Sequence, residues 1–395
     1  MKQIPMDRLL GVSYGLAYGD ALGRRTEFMK AESLKKFGNP FRRQVGLTRP
    51  AQGIVTDDTQ MSIAVGRAAL GSPDPKTLTP KLIKELIRWY DDPRSRDGLR
   101  APGNTCLSSC ARLKRNPGQW LLATDTDSKG NGANMRVSLM ALRTDWTYPQ
   151  LSAAAQLQAA LTHGHATALA AADLTAVAVR MLLEGVSKPG PALLDHLLAY
   201  AYDQRTTYHG DYLGKLWKQS SKHDNYRGFG GLGLPLGGSR TGRLWEDDPS
   251  WPIGAVVRTV PAQSMRRRTS RPAPKSPQEF IERGWDKLID SLLKIYDARR
   301  DPLQDPCKVA GEGWVAEEAL MVALHTLLCF PDDPTNALRR AAFTNGDSDS
   351  IASITGALAG AAYGRRFFPH GWIENLEYRR EMDSLTARLA NASGC

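Results

Sequence analysis

Several things are scarce in these 395 residues. No uninterrupted apolar run approaches the roughly 18 to 20 residues that a membrane-crossing helix needs, so no transmembrane segment is expected. The opening Met1-Lys-Gln-Ile-Pro-Met-Asp7 has no apolar core ahead of a small-residue cleavage site, so the expected setting is cytoplasmic. Cysteines number five (Cys106, Cys110, Cys307, Cys329, Cys395). That is too few, and odd, for a disulfide framework, and it suits a reducing compartment. Strand signals are rare too. Gly254–Val260 is the best of them, and it sits among prolines and arginines.

What is present is ordinary for a folded protein: 42% hydrophobic and 24% charged residues, enough for a large core. The balance is basic, with 52 Lys and Arg against 41 Asp and Glu. A surplus of +11 suits nucleic acid, an anionic ligand, an acidic protein partner or simple solubility. Length alone suggests roughly two or three domains.

Helix signals dominate and predict an all-α fold. Thr79 with Pro80 at a first helical position should open a helix whose face carries Leu82, Ile83, Leu86, Ile87 and Tyr90. Ser276-Pro-Gln-Glu279 spells a capping box ahead of Ile281, Leu288, Leu292 and Ile295. Helices are also expected over 151–163, 165–185, 314–329, 334–343 and 350–363. Glycines recur every fourth residue at 11, 15, 19 and 23, and again at 356, 360 and 364. Each weakens a helix by about 0.8–1 kcal/mol relative to alanine, so close backbone packing at a bundle centre should compensate. Residues 205–275 differ: they are rich in Gly, Pro, Arg and Trp and read as a surface insertion. Residues 240–275 alone carry eight basic and three acidic side chains, close to half the net surplus.

Two acidic helix starts carry the chemistry. Thr56-Asp57-Asp58-Thr59 precedes one amphipathic pattern and Asp347-Ser348-Asp349-Ser350 another. At a loop-to-helix junction adjacent carboxylates can reach one ligand, which neighbours inside a helix cannot. Two such oxygen-rich starts suit Mg²⁺ or Mn²⁺ and suggest a binuclear site with bridging carboxylates. Without cations the carboxylates would repel and their pKa values would rise.

Other spellings carry less. Gly228–Gly233 fits a dinucleotide fingerprint but follows no strand, and Pro235 blocks a helix. Asp125–Gly130 and Asp347–Leu358 both fail the EF-hand pattern at ligand positions. His163 and His165 lack a second pair for zinc. Cys106 and Cys110 stand one helical turn apart and read as buried thiols. Arg266–Arg268 lacks interleaved aromatics, so nucleic-acid binding is not expected.

In combination, the motifs resemble those of the ADP-ribosylglycohydrolases, the group that includes the dinitrogenase reductase-activating enzymes. The matching segments are Gly15–Gly23 with Glu27, Thr56–Thr59, Gly130-Asn-Gly-Ala-Asn-Met-Arg136, Leu161–His165, Gly313–Leu320 and Gly346–Ser350, in the family's order. The resemblance implies one all-α domain over 1–395, with two Mg²⁺ or Mn²⁺ ions held by Thr56, Asp57, Asp58, Asp347, Asp349 and Ser350. The family usually has threonine where Ser350 stands, and commonly glycine where Asn345 stands. Glu27 matches a glutamate beside the metals and the reacting sugar. Ser128, Gly130, Asn131 and Gly132 match the loop that holds diphosphate and ribose, and His163 matches a residue on the nucleotide side. Some members carry an aspartate before an Ile-Gly-Asn-Thr-like stretch, whereas Arg100, Ala101 and Pro102 offer no carboxylate.

That leaves Glu27, Asp57 and Asp58 as acid/base candidates, with either Asp58 or a metal-bound water acting at the ribose C1. The implied activity is hydrolysis of ADP-ribose from a modified protein side chain, arginine first. Serine-linked, nucleic-acid-linked or free ADP-ribose compounds are alternatives, as is an immunity protein that blocks an ADP-ribosyltransferase toxin or its target. Because the motifs come from both ends of the chain, they must meet in one bundle, and the surplus charge belongs to recognition more than to the reaction.

Overall fold

The structure, a computed structural model, describes residues 4–35, 53–70, 75–98, 100–220, 272–368 and 371–392. Twelve helices of eight or more residues are numbered here in chain order: α1 Met6–Gly23, α2 Asp57–Ala69, α3 Pro75–Asp91, α4 Asn104–Arg115, α5 Tyr148–Ala160 and α6 Ala166–Glu184, then α7 Pro191–Gln204, α8 Pro277–Asp297, α9 Ala316–Cys329, α10 Pro334–Ala341, α11 Ser348–Tyr363 and α12 Arg379–Ala392. Among the described residues the only extended pairings are two isolated bridges, Asp125 with His163 and Gly130 with Val315. The all-α expectation holds. The candidate strand Gly254–Val260, the Gly228–Gly233 spelling and the Arg266–Arg268 run lie outside the described residues.

The centre of the bundle is α6. Its residues are buried from Ala166 to Leu183, and its neighbours are α5, α8 and α11. With a mean hydropathy of 1.6 it is long and apolar enough to cross a membrane, yet it is wholly buried in protein. His165 caps it, accepting the Thr167 N–H at 3.1 Å, and Gly185 ends it in a left-handed conformation at φ +73°.

The glycine stripes do what close packing requires. α1 and α11 run antiparallel, backbone against backbone. A Cβ on Gly15 would lie 1.9 Å from the Gly356 carbonyl oxygen, and one on Gly360 would lie 1.9 Å from that of Gly11. Further along, a Cβ on Gly23 would fall 2.2 Å from the Ser348 carbonyl oxygen. The contact therefore brings the end of α1 to the start of α11, joining two chemically marked segments more than 300 residues apart.

Two local expectations need correction. The helix placed at Thr79 begins at Pro75, leaving Pro80 inside it. Proline's missing N–H and ring cost a helix interior about 3 kcal/mol, and the buried Leu78, Leu82 and Leu86 on the same helix offset that. At α8 the capping box is half made. Ser276 accepts the Glu279 N–H at 3.0 Å, but the Glu279 carboxylate takes the Lys275 N–H at 2.7 Å. Within the expected insertion, residues 205–220 pack on the body, with Leu213 and Leu216 buried and the His209 ring 2.8 Å from the Ser152 hydroxyl.

Candidate active site

The first wall of the site is the turn that opens α2. Thr56 is its N-cap, accepting the Asp58 N–H at 3.3 Å, so Asp57 and Asp58 occupy the first two helical positions. An acidic helix start is favoured by the backbone dipole whatever its role. Here the carboxyl groups are buried, at 4% and 2% exposure, where an unpaired charge is expensive.

Asp20 of α1 holds this turn from behind. It receives the Thr56 N–H at 2.9 Å, the Thr59 N–H at 3.1 Å and the Thr59 hydroxyl at 2.5 Å. Sequence reasoning passed over Asp20 as part of a glycine-rich stretch. The signal was available: Asp20, a carboxylate within the buried, glycine-striped part of α1, needs buried donors. On the other side the Asp57 N–H donates to the Arg100 carbonyl at 2.9 Å. The Arg100 guanidinium grips the Val55 carbonyl at 2.5 Å and Glu377 at 2.7 and 2.8 Å. The stretch that lacks the aspartate of some family members thus supplies a brace.

The second wall is the start of α11. Oxygens of Glu27, Asp347 and Asp349 all lie within 4.8 Å of one another, a spacing that one cation can bridge. Glu27, read from sequence as an acid/base group, therefore stands among the candidate ligands as well. Ser350 reaches across to the first wall, its hydroxyl 3.4 Å from Asp58 Oδ2, so the serine in the usual threonine place still faces the site. The Asn345 N–H is held by Asp305 at 2.9 Å.

The electrostatics match the geometry. Burial, and then neighbouring carboxylates, push Glu27, Asp57, Asp58 and Asp349 well above the usual carboxylate range. Asp20 rises to about 6 through burial, opposed by its hydrogen bonds to Thr59 and Thr56. Two oxygens in this cluster, Glu27 Oε2 and Asp58 Oδ1, are buried with no hydrogen-bond partner among the described residues. Crowded hard oxygens with orphaned lone pairs suit divalent cations such as Mg²⁺ or Mn²⁺ and ill suit zinc.

The third wall is the loop around 128–132. Asn131 ties it to the acids, its side-chain amide donating to Asp347 Oδ2 at 2.9 Å and to the Gly313 carbonyl at 2.8 Å. Ser128 shares a hydrogen bond of 3.1 Å with Thr105. The His163 ring lies against both Gly130 and Gly132, and most tightly against Gly132. A Cβ at Gly132 would sit 2.9 Å from His163 Cε1 and 2.7 Å from Cys106 Sγ. The Asn131 backbone N–H is bound to the Trp314 carbonyl at 3.2 Å. Cys106 and Cys110 are buried thiols, raised by burial, Cys110 to about 12. His163 packs as a loop support, and His165 caps a helix. Phe28, at φ +61°, stacks on Trp314 with ring centres 4.2 Å apart, an aromatic edge beside Glu27 that sequence reasoning did not foresee.

Comparison with known proteins places the family and the fold. The family model for ADP-ribosylglycohydrolase matches residues 1–394. The ADP-ribosyl-[dinitrogen reductase] glycohydrolase of Rhodospirillum rubrum is 36% identical over 165 residues, 40% of this chain and 52% of that protein. The match thus spans about half the length of that relative. The ADP-ribosylarginine hydrolase Tri1 of Serratia proteamaculans is 22% identical over 97% of this chain and 79% of its own length. A solved structure described as an ADP-ribosylglycohydrolase-related protein complex superposes with a TM-score of 0.58 at 21% identity, covering 98% of both chains, and shows the same fold. The chain belongs to the ADP-ribosylglycohydrolase family.

Proposed function

We propose that this chain is a divalent-metal-dependent hydrolase that cleaves the N-glycosidic bond between ADP-ribose and an arginine side chain of a modified protein. The observation that carries the reading is the meeting of unpartnered buried oxygens on Glu27 and Asp58 with a glycine-rich loop tethered through Asn131 to Asp347 of the same acidic cluster. Family membership supports the reaction class. The name of the Serratia relative, similar along 97% of this chain, supports arginine as the linked residue.

Thr56, Asp57, Asp58, Asp347, Asp349 and Ser350 would hold two Mg²⁺ or Mn²⁺ ions, with Glu27 beside them. Such ions supply positive charge for the ribose hydroxyls and acidify water at neutral pH. The protein's own groups do the remainder. Ser128 and the Gly130–Gly132 loop position the diphosphate and ribose, and Asn131 keeps that loop in register with Asp347. Asp58 Oδ1 takes a proton from the attacking water as its oxygen bonds to C1, and Glu27 in its protonated form gives a proton from Oε2 to the departing nitrogen as the C1–N bond breaks. The crowded carboxylates also favour the positive charge that develops on the sugar during cleavage.

The test offers arginine-, serine- and DNA-linked ADP-ribose to the full chain in Mg²⁺ or Mn²⁺, with and without EDTA. Cleavage of the arginine conjugate, abolished by EDTA, is expected. Asp58→Asn should slow it by about 100-fold or more, as loss of a general base does. If no conjugate is cleaved, the reading is wrong. A full rate in Asp58→Asn removes Asp58 from its role.

A further inference from the structure

Arg136 closes the Gly130–Arg136 motif, yet among the described residues it pairs with no carboxylate. It is fully buried, and one of its hydrogen bonds leads, through Thr162, to a histidine. Nε donates to the Gln158 side-chain oxygen at 2.8 Å, and Nη2 donates to the Gln158 carbonyl and the Thr162 hydroxyl, both at 2.8 Å. Nη1 meets only the sulfurs of Met61 and Cys106, at 3.9 Å each. Gln158 is itself oriented, its amide N–H donating to the Ala133 carbonyl at 2.8 Å. A guanidinium has donors and no acceptor, so the Thr162 oxygen must accept from Arg136.

The Thr162 hydroxyl then has one proton to place. It is buried without exposure, and its other neighbour is His163 Nδ1 at 2.8 Å. Were Nδ1 to carry the ring proton, the hydroxyl hydrogen would be left buried without an acceptor, at a cost of about 1–3 kcal/mol. With Nδ1 accepting, the Thr162 hydroxyl is satisfied and the ring proton sits on Nε2. Burial, aided by the Arg136 charge, holds His163 down to about 3, so the ring is neutral at working pH and its tautomer is a defined property.

Nε2 faces the loop. A Cβ on Gly130 would lie 3.3 Å from Nε2 and 3.6 Å from Ser128 Oγ, and one on Gly132 would lie 3.2 Å from Nε2. The glycine space is thus flanked by a ring nitrogen and a hydroxyl. The Asn131 N–H is already committed to Trp314, so a proton on Nε2 would add a donor to what the loop offers an anion there.

We propose that Arg136 and Thr162 are positioning residues that lock His163 as the Nε2–H tautomer, so that it donates a hydrogen bond to an anionic diphosphate oxygen seated at the Gly130–Gly132 loop. The ligand in this statement rests on the proposed function; the lock itself does not. In the alternative tautomer Nε2 would present a lone pair to the same oxygen and repel it. One proton, set by a buried guanidinium two contacts away, decides whether the loop attracts or rejects phosphate.

Two measurements test this. In the full chain labelled with ¹⁵N-histidine, with His163→Gln as the assignment control, the His163 Nε2 shift should be of the protonated type and that of Nδ1 of the unprotonated type. This requires no destabilising variant. Thr162→Val should then mix the two forms and weaken ADP and ADP-ribose binding about tenfold, the effect of a lost hydrogen bond to a charged group. Adenosine, lacking phosphate, should bind the variant as it binds the wild type. Thr162→Ser should restore both the shifts and the affinity, and turnover in Thr162→Val should change in KM more than in kcat. A protonated Nδ1 in the wild type overturns the lock, as does a Thr162→Val protein with unchanged shifts and unchanged ADP affinity. A wild-type chain that binds neither ADP nor ADP-ribose overturns the proposed function, while the ring-nitrogen shifts still decide the lock.

Discussion

Asp173 lies on α6 among donors that leave its carboxylate little reason to protonate and burial that gives it every reason. Ser152 donates at 2.5 Å, Gln156 at 2.8 Å and Tyr200 at 2.8 Å, yet burial prevails and raises it to about 6. A folded pKa above the unfolded value near 3.8 means that the folded state holds this proton more tightly. The stabilising contribution is complete below the unfolded pKa and is lost as pH rises through about 6. In urea titrations, the wild type should therefore gain on Asp173→Asn between pH 7.5 and pH 4, by up to about 3 kcal/mol. A pH-independent difference between the two proteins would contradict the shift. Ser152, Asp173 and His209 resemble a catalytic triad by composition, but the carboxylate contacts the serine and not the imidazole, so the group is a core network.

At the scale of elements, the contact of α1 with α11 shows why glycine is tolerated at four consecutive helical turns. Gly15→Ala would gain about 1 kcal/mol of helix propensity. It would also set a methyl group 1.9 Å from a backbone oxygen that no side-chain rotation can move. Overpacking of this kind costs about 3 kcal/mol or more, so the clash outweighs the gain. Gly15→Ala should lower the melting temperature and reduce activity, because Glu27, just beyond the end of α1, and Asp349, in the first turn of α11, stand where the two helices meet. Gly103→Ala, where an added Cβ meets nothing within 4 Å, is the matched control and should be near neutral. Equal melting temperatures for both variants would refute the close-contact account. The stripe was legible as a packing surface because spacing by four marks one helix face. Its partner was legible only as a second stripe of the same period.

Across the whole molecule, the candidate site draws on residues 20–27, 56–58, 128–132, 163 and 347–350, so no half of the chain contains it. A cation seated among Asp58, Asp347 and Asp349 would be linked to folding of the entire bundle. At about 100 times its dissociation constant a ligand adds about 2.7 kcal/mol to stability. Millimolar Mg²⁺ or Mn²⁺ should accordingly raise the melting temperature by several degrees, and EDTA should reverse it. Asp58→Asn should lose most of that shift while its metal-free form is at least as stable as the wild type, since one repelling buried carboxylate is gone. Absence of any cation-dependent shift in the wild type would count against the metal centre.

By itself the sequence settled what depends on near neighbours. Helix period, the capping Thr56 and Ser276, and the paired carboxylates at 57–58 and 347–349 are written within a few residues of one another. The ordered motifs of residues 15–350 carried the family. The sequence also misled locally: Pro80 looked like a helix start because proline is common there, until a buried leucine face extended the helix backward. Tertiary structure alone decided the long-range contacts. Asp20 reaching the 56–59 turn, Arg100 bracing it through Glu377, Glu27 standing beside Asp347, and Arg136 acting on His163 through Thr162 are contacts set by packing geometry. Each joins polar groups whose burial makes an unmet hydrogen bond costly, and no spacing along the chain encodes which partner will meet that demand.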